Sequence, residues 1–164
     1  MQKEIKMIEF KPVSLDNFWD VIDIKINKEQ EQYIPDNIFL LAISKIIPHC
    51  IPLAVYNDNI VIGFLMYGLD ESRENYWIHI MMMDDKHQGK GYAKETFRKI
   101  LSEIKKDKSV HKILLAVNKG NINAVKIYEK LGFKFNGQRF DEREWAVKIY
   151  QKLLNEEFIM ELDY

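Results

Sequence analysis

The stretch Gln88-Gly89-Lys90-Gly91-Tyr92-Ala93 constrains this chain more than any other. It follows the apolar run Ile78–Met83. It opens a segment in which Ala93, Phe97, Ile100, Leu101 and Ile104 recur at helical spacing. Glycines at the mouth of a helix let backbone N–H groups come close to an anion, and the helix N-terminus adds about half a positive charge. The chain therefore reads as a strand and a helix joined by a phosphate cradle.

Three phosphate-binding patterns compete for this loop. A nucleotide P-loop needs Gly-Lys followed by Ser or Thr to hold magnesium, but Gly91 follows Lys90. A dinucleotide fold needs G-x-G-x-x-G and a later acid. Gly89 and Gly91 begin that pattern, and Lys94 takes the third glycine's place. The pattern that fits is Gln-x-x-Gly-x-Ala, anchored at Gln88, Gly91 and Ala93.

The elements around the loop read in order along the chain. Ile5–Pro12 alternates as a first strand, and Ser14 is placed to cap a helix running to about Asn27 through Leu15, Phe18, Trp19, Ile22 and Ile26. Asp36 or Asn37 starts a second helix, Ile38–Ile47, which Pro48 stops. Leu53–Tyr56 and Ile60–Tyr67, joined by Asn57-Asp58-Asn59, form a hairpin signal. Tyr76–Met83 is apolar on both parities and predicts a strand covered on both faces. Lys112–Val117 is a short strand, and Ala124, Ile127, Tyr128 and Leu131 give a further helix, with Gly132 at its C′ position. Phe133–Gly137 and Arg143–Tyr150 read as closing strands, and residues 151–164 as a terminal helix or a dimer contact. This order predicts an α/β (α+β) fold, a mixed sheet with helices on both faces.

At 164 residues, 47% hydrophobic and 30% charged, the chain is long enough for one domain with a sizeable core. Its 24 basic and 25 acidic side chains leave a net charge of -1, which gives no electrostatic reason to expect nucleic acid. The lone Cys50 cannot form an intrachain disulfide, and no apolar run approaches the ~20 residues that span a bilayer. The expectation is a cytoplasmic protein without a membrane partner. His49, His79, His87 and His111 lack metal-ligand spacing, so no metal is expected.

Residues 88–93 resemble the pyrophosphate loop of the GCN5-related N-acetyltransferases (GNAT), and Asn121–Phe133 resembles their second signature. The resemblance covers most of residues 1–150. Within the family, Gln30-x-x-Tyr33-Ile34, Ile62-Gly63-Phe64-x-Met66-Tyr67-Gly68 and Phe135-Asn136-Gly137 resemble bacterial spermine/spermidine acetyltransferases. The resemblance implies a mostly antiparallel sheet of six to seven strands with a splayed central parallel pair. It implies acetyl-CoA between those strands, with Met81, Met82 and Met83 along the pantetheine arm and amides of Gly89, Lys90, Gly91, Tyr92, Ala93 and Lys94 on the pyrophosphate. Asn121 and Lys130 then join the cofactor site. Each has a plainer reading beside this one: core methionines, a helix cap, a solvated lysine.

Tyr128 stands where the resemblance puts the acid that protonates the leaving thiolate, although a tyrosine on an apolar stripe is usually core. A thiol near pKa ~8.5 and a tyrosine near ~10 make that transfer uphill by about 2 kcal/mol in water. The acceptor has to react as a neutral amine, so a base or water relay must take its proton. Where polyamine acetyltransferases often carry a carboxylate, this chain has His79, a candidate base or a structural histidine. Glu29, Glu31, Asp36, Asp70, Glu71 and Glu74 are candidate contacts for a polyamine. The implied activity is acetyl transfer from acetyl-CoA to a primary amine, with spermine or spermidine first among acceptors. A protein N-terminus, a lysine, another small amine, or a non-catalytic acetyl-CoA-binding module are the alternatives. A homodimer is in keeping with the family.

Overall fold

The computed structural model describes residues 7–47, 49–139 and 157–164. Its elements run β1 (Ile8–Pro12), α1 (Phe18–Ile22), α2 (Asn37–Ile43), β2 (Ile51–Asn57), β3 (Ile60–Leu69), β4 (Tyr76–Met83), α3 (Tyr92–Ile104), β5 (Lys112–Asn118), α4 (Ile122–Lys130), β6 (Lys134–Arg139) and β7 (Glu157–Asp163). The strands form one sheet in the order β1-β2-β3-β4-β5-β7-β6. Every neighbouring pair is antiparallel except β4 and β5.

That exception shapes the molecule. β4 and β5 pair only at Tyr76↔Ile113 and Trp77↔Leu114 and then separate. On β4's other edge, Met66 pairs with Ile80 and Tyr67 with Ile78, which leaves His79 as an extra residue. Such a bulge bends its strand and sharpens the twist. Here it comes two residues after the last contact with β5, so β4 turns away from its parallel neighbour.

Helices cover both faces of the sheet. On one, Phe97, Ile100, Leu101 and Ile104 of α3 pack with Ile62, Leu65, Ile78, Leu115, Phe133 and Met160, and α4 joins them through Ala124, Ile127 and Tyr128. On the other, Val21, Ile24 and Leu40 from the α1–α2 segment meet Ala54, Phe64, Met66 and Met82. Asp36 caps α2, accepting from the amides of Ile38 and Phe39.

Three expectations need correction. The first helix is only Phe18–Ile22. Ser14 does not cap it; its hydroxyl accepts from the Asp16 amide in the preceding turn, and Leu15 and Trp19 are 93% and 69% exposed. The second helix closes at Ile43, before Pro48, which lies outside the described residues, as do Ile5 and the proposed strand Arg143–Tyr150. Over its described residues the last segment is a strand and not a helix. Residues 157–163 form β7, with both edges used, between β5 and β6. Residues 157–163, expected to lie in a tail beyond residue 150, are thus part of the sheet.

Met160 is fully buried on β7. Met160→Ala is expected to cost about 2–5 kcal/mol of stability, read from the urea midpoint. A change within about 0.5 kcal/mol, typical of a surface position, would contradict β7 as a core strand.

Candidate active site

Where β4 and β5 part, a cleft of about 480 Å³ runs between the two faces of the sheet. One side is walled by Phe97, Leu115, Val117, Ala124, Ile127 and Tyr128, which belong to the α3–α4 face. The other is walled by residues of the α1–α2 face, including Ile26, Ile34, Leu40 and Ile80. A molecule filling the cleft would meet both helical layers.

The backbone of β4 forms one rim. In a strand, the N–H and C=O of one residue point to the same side and alternate along the chain. The Asp84 amide donates to Ile62 of β3, so Met81 and Met83 present their backbone groups to the cleft. The Met83 carbonyl already accepts from the Gln88 side chain at 2.9 Å. With β5 drawn away, this edge suits an extended ligand carrying amides of its own.

The glycine loop forms the second rim. Gly89 and Gly91 have φ of 71° and 83°, a left-handed backbone that favours glycine. Gly91 is the N-cap of α3 and supplies no side-chain acceptor. The opening N–H groups of the helix therefore face the cleft beside Gly89, Tyr92, Ala93 and Lys94. A helix N-terminus with no side-chain cap fits a diphosphate.

Most of the expected residues meet here: His79, Met81, Met82, Met83, Gln88, Gly89, Gly91, Tyr92, Ala93, Lys94, Asn121 and Tyr128 all line the cleft. Asn121 also caps α4, accepting from the Ala124 amide at 3.3 Å. Tyr128 packs edge-on against Phe97 at 5.2 Å and beside Phe133 at 6.1 Å, with the cleft before it.

Two lysines are placed differently. The Lys90 ammonium donates to the Lys86 carbonyl at 2.6 Å and is not among the lining groups, so its part in the loop is to brace it. Lys130 closes α4 on a separate surface depression with Arg98, Lys105, Lys106 and Lys108. Gln88 lines the cleft, but its amide is engaged: it donates to Gln30 Oε1 at 2.8 Å and accepts from Asn27 at 3.1 Å. It ties the α1–α2 connection to the cradle.

The acidic residues expected near the acceptor do not reach the cleft. No described lining residue is Asp or Glu. Asp36 is occupied as a cap. For Asp70, burial works against ionisation, but hydrogen bonds from Asn75, Ser72 and the Glu74 amide outweigh it and hold the carboxyl below its usual range. It organises its own loop. Residues less evident in the sequence, Asn27, Trp77 and Leu115–Asn118, line the cleft because of the strand separation. Gln30, Tyr33, Ile34 and Met66 also line it, and for these the likeness to polyamine acetyltransferases was the available signal.

The model of the Acetyltransferase (GNAT) family matches residues 18–133. The chain belongs to the GNAT acetyltransferase family. It is an acetyl-CoA-dependent N-acetyltransferase, and the cleft and cradle above fit acetyl-CoA as donor. Over 137 residues the chain is 29% identical to the spermine/spermidine N(1)-acetyltransferase of Bacillus subtilis, covering 80% of this chain and 90% of that one. Among solved structures it is similar to a Vibrio cholerae spermidine N-acetyltransferase in complex with CoA and spermine. That match has a TM-score of 0.71 and 17% identity and covers 95% of each chain. It is also similar to the ribosomal-protein-S18-alanine N-acetyltransferase of Escherichia coli, with a TM-score of 0.69 and 15% identity, covering 96% of this chain and 94% of that one. The last two carry names with different acceptors at nearly equal similarity, so this GNAT fold does not by itself select the amine.

Burial pushes the His79 imidazole down from 6.5 to about 4. The folded GNAT domain thus holds it neutral at pH 7. Above pH 6.5 it is neutral in both folded and unfolded chains and has no effect on the balance. Between 6.5 and 4 the unfolded chain binds more proton, so stability falls as pH falls through that window. The loss between pH 7 and pH 4.5 is expected to be about 2 kcal/mol smaller in His79→Gln, as checked by urea unfolding of both proteins. Equal losses would show that His79 is not held neutral by the fold.

Proposed function

We propose that this GNAT enzyme acetylates a primary amine, with a polyamine such as spermidine or spermine as acceptor, by direct attack in a ternary complex. One juxtaposition carries the reading: the N-terminus of α3, the cleft-facing edge of β4 and Tyr128 line the same space. The Bacillus subtilis relative supports a polyamine as the acceptor class.

In this reading the pyrophosphate lies on the amides at 89–94, and the pantetheine arm runs along the edge of β4 at Met81 and Met83. A backbone N–H of β4 polarises the thioester carbonyl. The neutral amine attacks the carbonyl carbon, so that an N–C bond forms and the C–S bond breaks. Tyr128 gives the departing sulfur its proton. His79 is the candidate acceptor for the amine's proton. Because burial disfavours its charged form, it would pass that proton on to water and not retain it. Cys50 is a poor acyl carrier: burial pushes its thiol up to about 12, far from the thiolate that such chemistry requires.

Incubation with acetyl-CoA and an amine panel, following thiol release, tests the reaction directly. Release with spermidine and spermine supports the polyamine reading. Release only with peptides would move the acceptor to a protein amine, and cofactor binding without release would leave a binding module. Tyr128→Phe is expected to lower turnover at least tenfold, with acetyl-CoA affinity unchanged by calorimetry. Unaltered turnover would remove Tyr128 from the proton path.

A further inference from the structure

The two halves of the cleft differ in chemistry. The half beside the glycine loop offers backbone N–H groups and Lys94. The half beneath α1 and α2 is walled by Ile26, Ile34, Leu40, Ile43, Met66 and Ile80. Of the polar groups lining the cleft, Asn27 and Gln30 are already bonded to Gln88, and Tyr33, Trp77 and His79 add no negative charge. No carboxylate stands among the described residues lining either half. Of the carboxylates next to lining residues in the chain, Glu29 and Glu31 flank Gln30 and are exposed, Asp36 caps α2, and Asp84 accepts from the Lys25 and Lys86 amides. An ammonium drawn into the apolar half would lose water and gain no counter-charge from the described residues that line it, whereas a methylene chain there would gain from burial.

We infer that the apolar half of the cleft selects its amine by the uncharged arm behind the reacting nitrogen: it takes an alkyl or aryl-alkyl body and keeps any second ammonium outside. This rests on the acetyl-transfer reading above and narrows the acceptor within it. A polyamine is accepted by leaving its outer ammonium groups at the rim beside Glu29 and Glu31, and a monoamine of equal length is accepted better. The same wall favours the neutral form of the entering amine, which is the form that can attack.

The isosteric pair n-pentylamine and putrescine isolates the effect, because one carries a methyl group where the other carries an ammonium. With acetyl-CoA saturating and rates corrected for the fraction of neutral amine, kcat/KM for n-pentylamine is expected to exceed that for putrescine at least tenfold. From n-propylamine to n-hexylamine it is expected to rise about twofold to fourfold per methylene. Ile34→Asp, which brings a carboxylate to the wall, is expected to narrow the n-pentylamine-to-putrescine ratio at least tenfold. Acetyl-CoA affinity measured by calorimetry should stay unchanged and report that the variant is folded. Putrescine matching or exceeding n-pentylamine in the unaltered protein overturns the inference while leaving acetyl transfer intact. Absence of thiol release with any amine removes both.

Discussion

Two parallel strands that share only two residue pairs leave a run of backbone groups with no sheet partner on one side. Peptide N–H and C=O groups removed from water need partners, so such a gap persists only where something takes the place of the missing strand. At one point the protein supplies the substitute itself, because the Gln88 amide caps the Met83 carbonyl. At Met81 the edge faces the cleft. The cleft, the cradle beside it and the approach of Tyr128 all follow from this separation.

The separation is held at both ends. At the vertex, the Tyr76 hydroxyl donates to Asp107 at 3.0 Å, and its ring stacks on Tyr67 at 6.3 Å. At the open end, residues 25–30 are tied to 84–88. The Asp85 amide donates to the Lys25 carbonyl at 2.7 Å, the Lys25 amide donates to Asp84 Oδ2 at 3.2 Å, and Gln88 bonds to both Asn27 and Gln30. The segment lining the apolar half is thus fastened to the turn that leads into the cradle. Ordering of one by a bound donor would be felt by the other through these bonds.

Much of this arrangement could be read from local patterns. The glycine loop, α3, α4 and the β2–β3 hairpin rest on signals within a few residues: left-handed glycines, apolar periodicity, the Asn121 cap. What depends on distant partners was hidden. Leu15 and Trp19 have helical spacing, yet they stay in solvent because no sheet residue comes to cover them. The bulge at His79 exists only in its pairing with β3. Lys130 sits at the correct helix end, but on the side away from the cleft. The last segment misled because Ile159 and Met160 are both buried, which blurs the two-residue alternation. Its strand state is imposed by β5 and β6. The acidic residues near the acceptor were legible as charges, but the loop hydrogen bonds and the cap that occupy Asp70 and Asp36 were not.

β7 follows β6 in sequence yet lies between β6 and β5. β5 and β6, which follow one another along the chain, are therefore not neighbours, and β7 pairs with both. A space must stay open beside β5 until residues 157–163 fill it, and their pairing with Lys112–Asn118 runs from Lys112↔Asp163 to Asn118↔Glu157, positions far apart along the chain. Contacts of that span are slow to form, because the intervening chain has to be ordered before they give any return. Until that pairing forms, the edge of β5 is the place where a partly folded molecule is open to pairing with another chain.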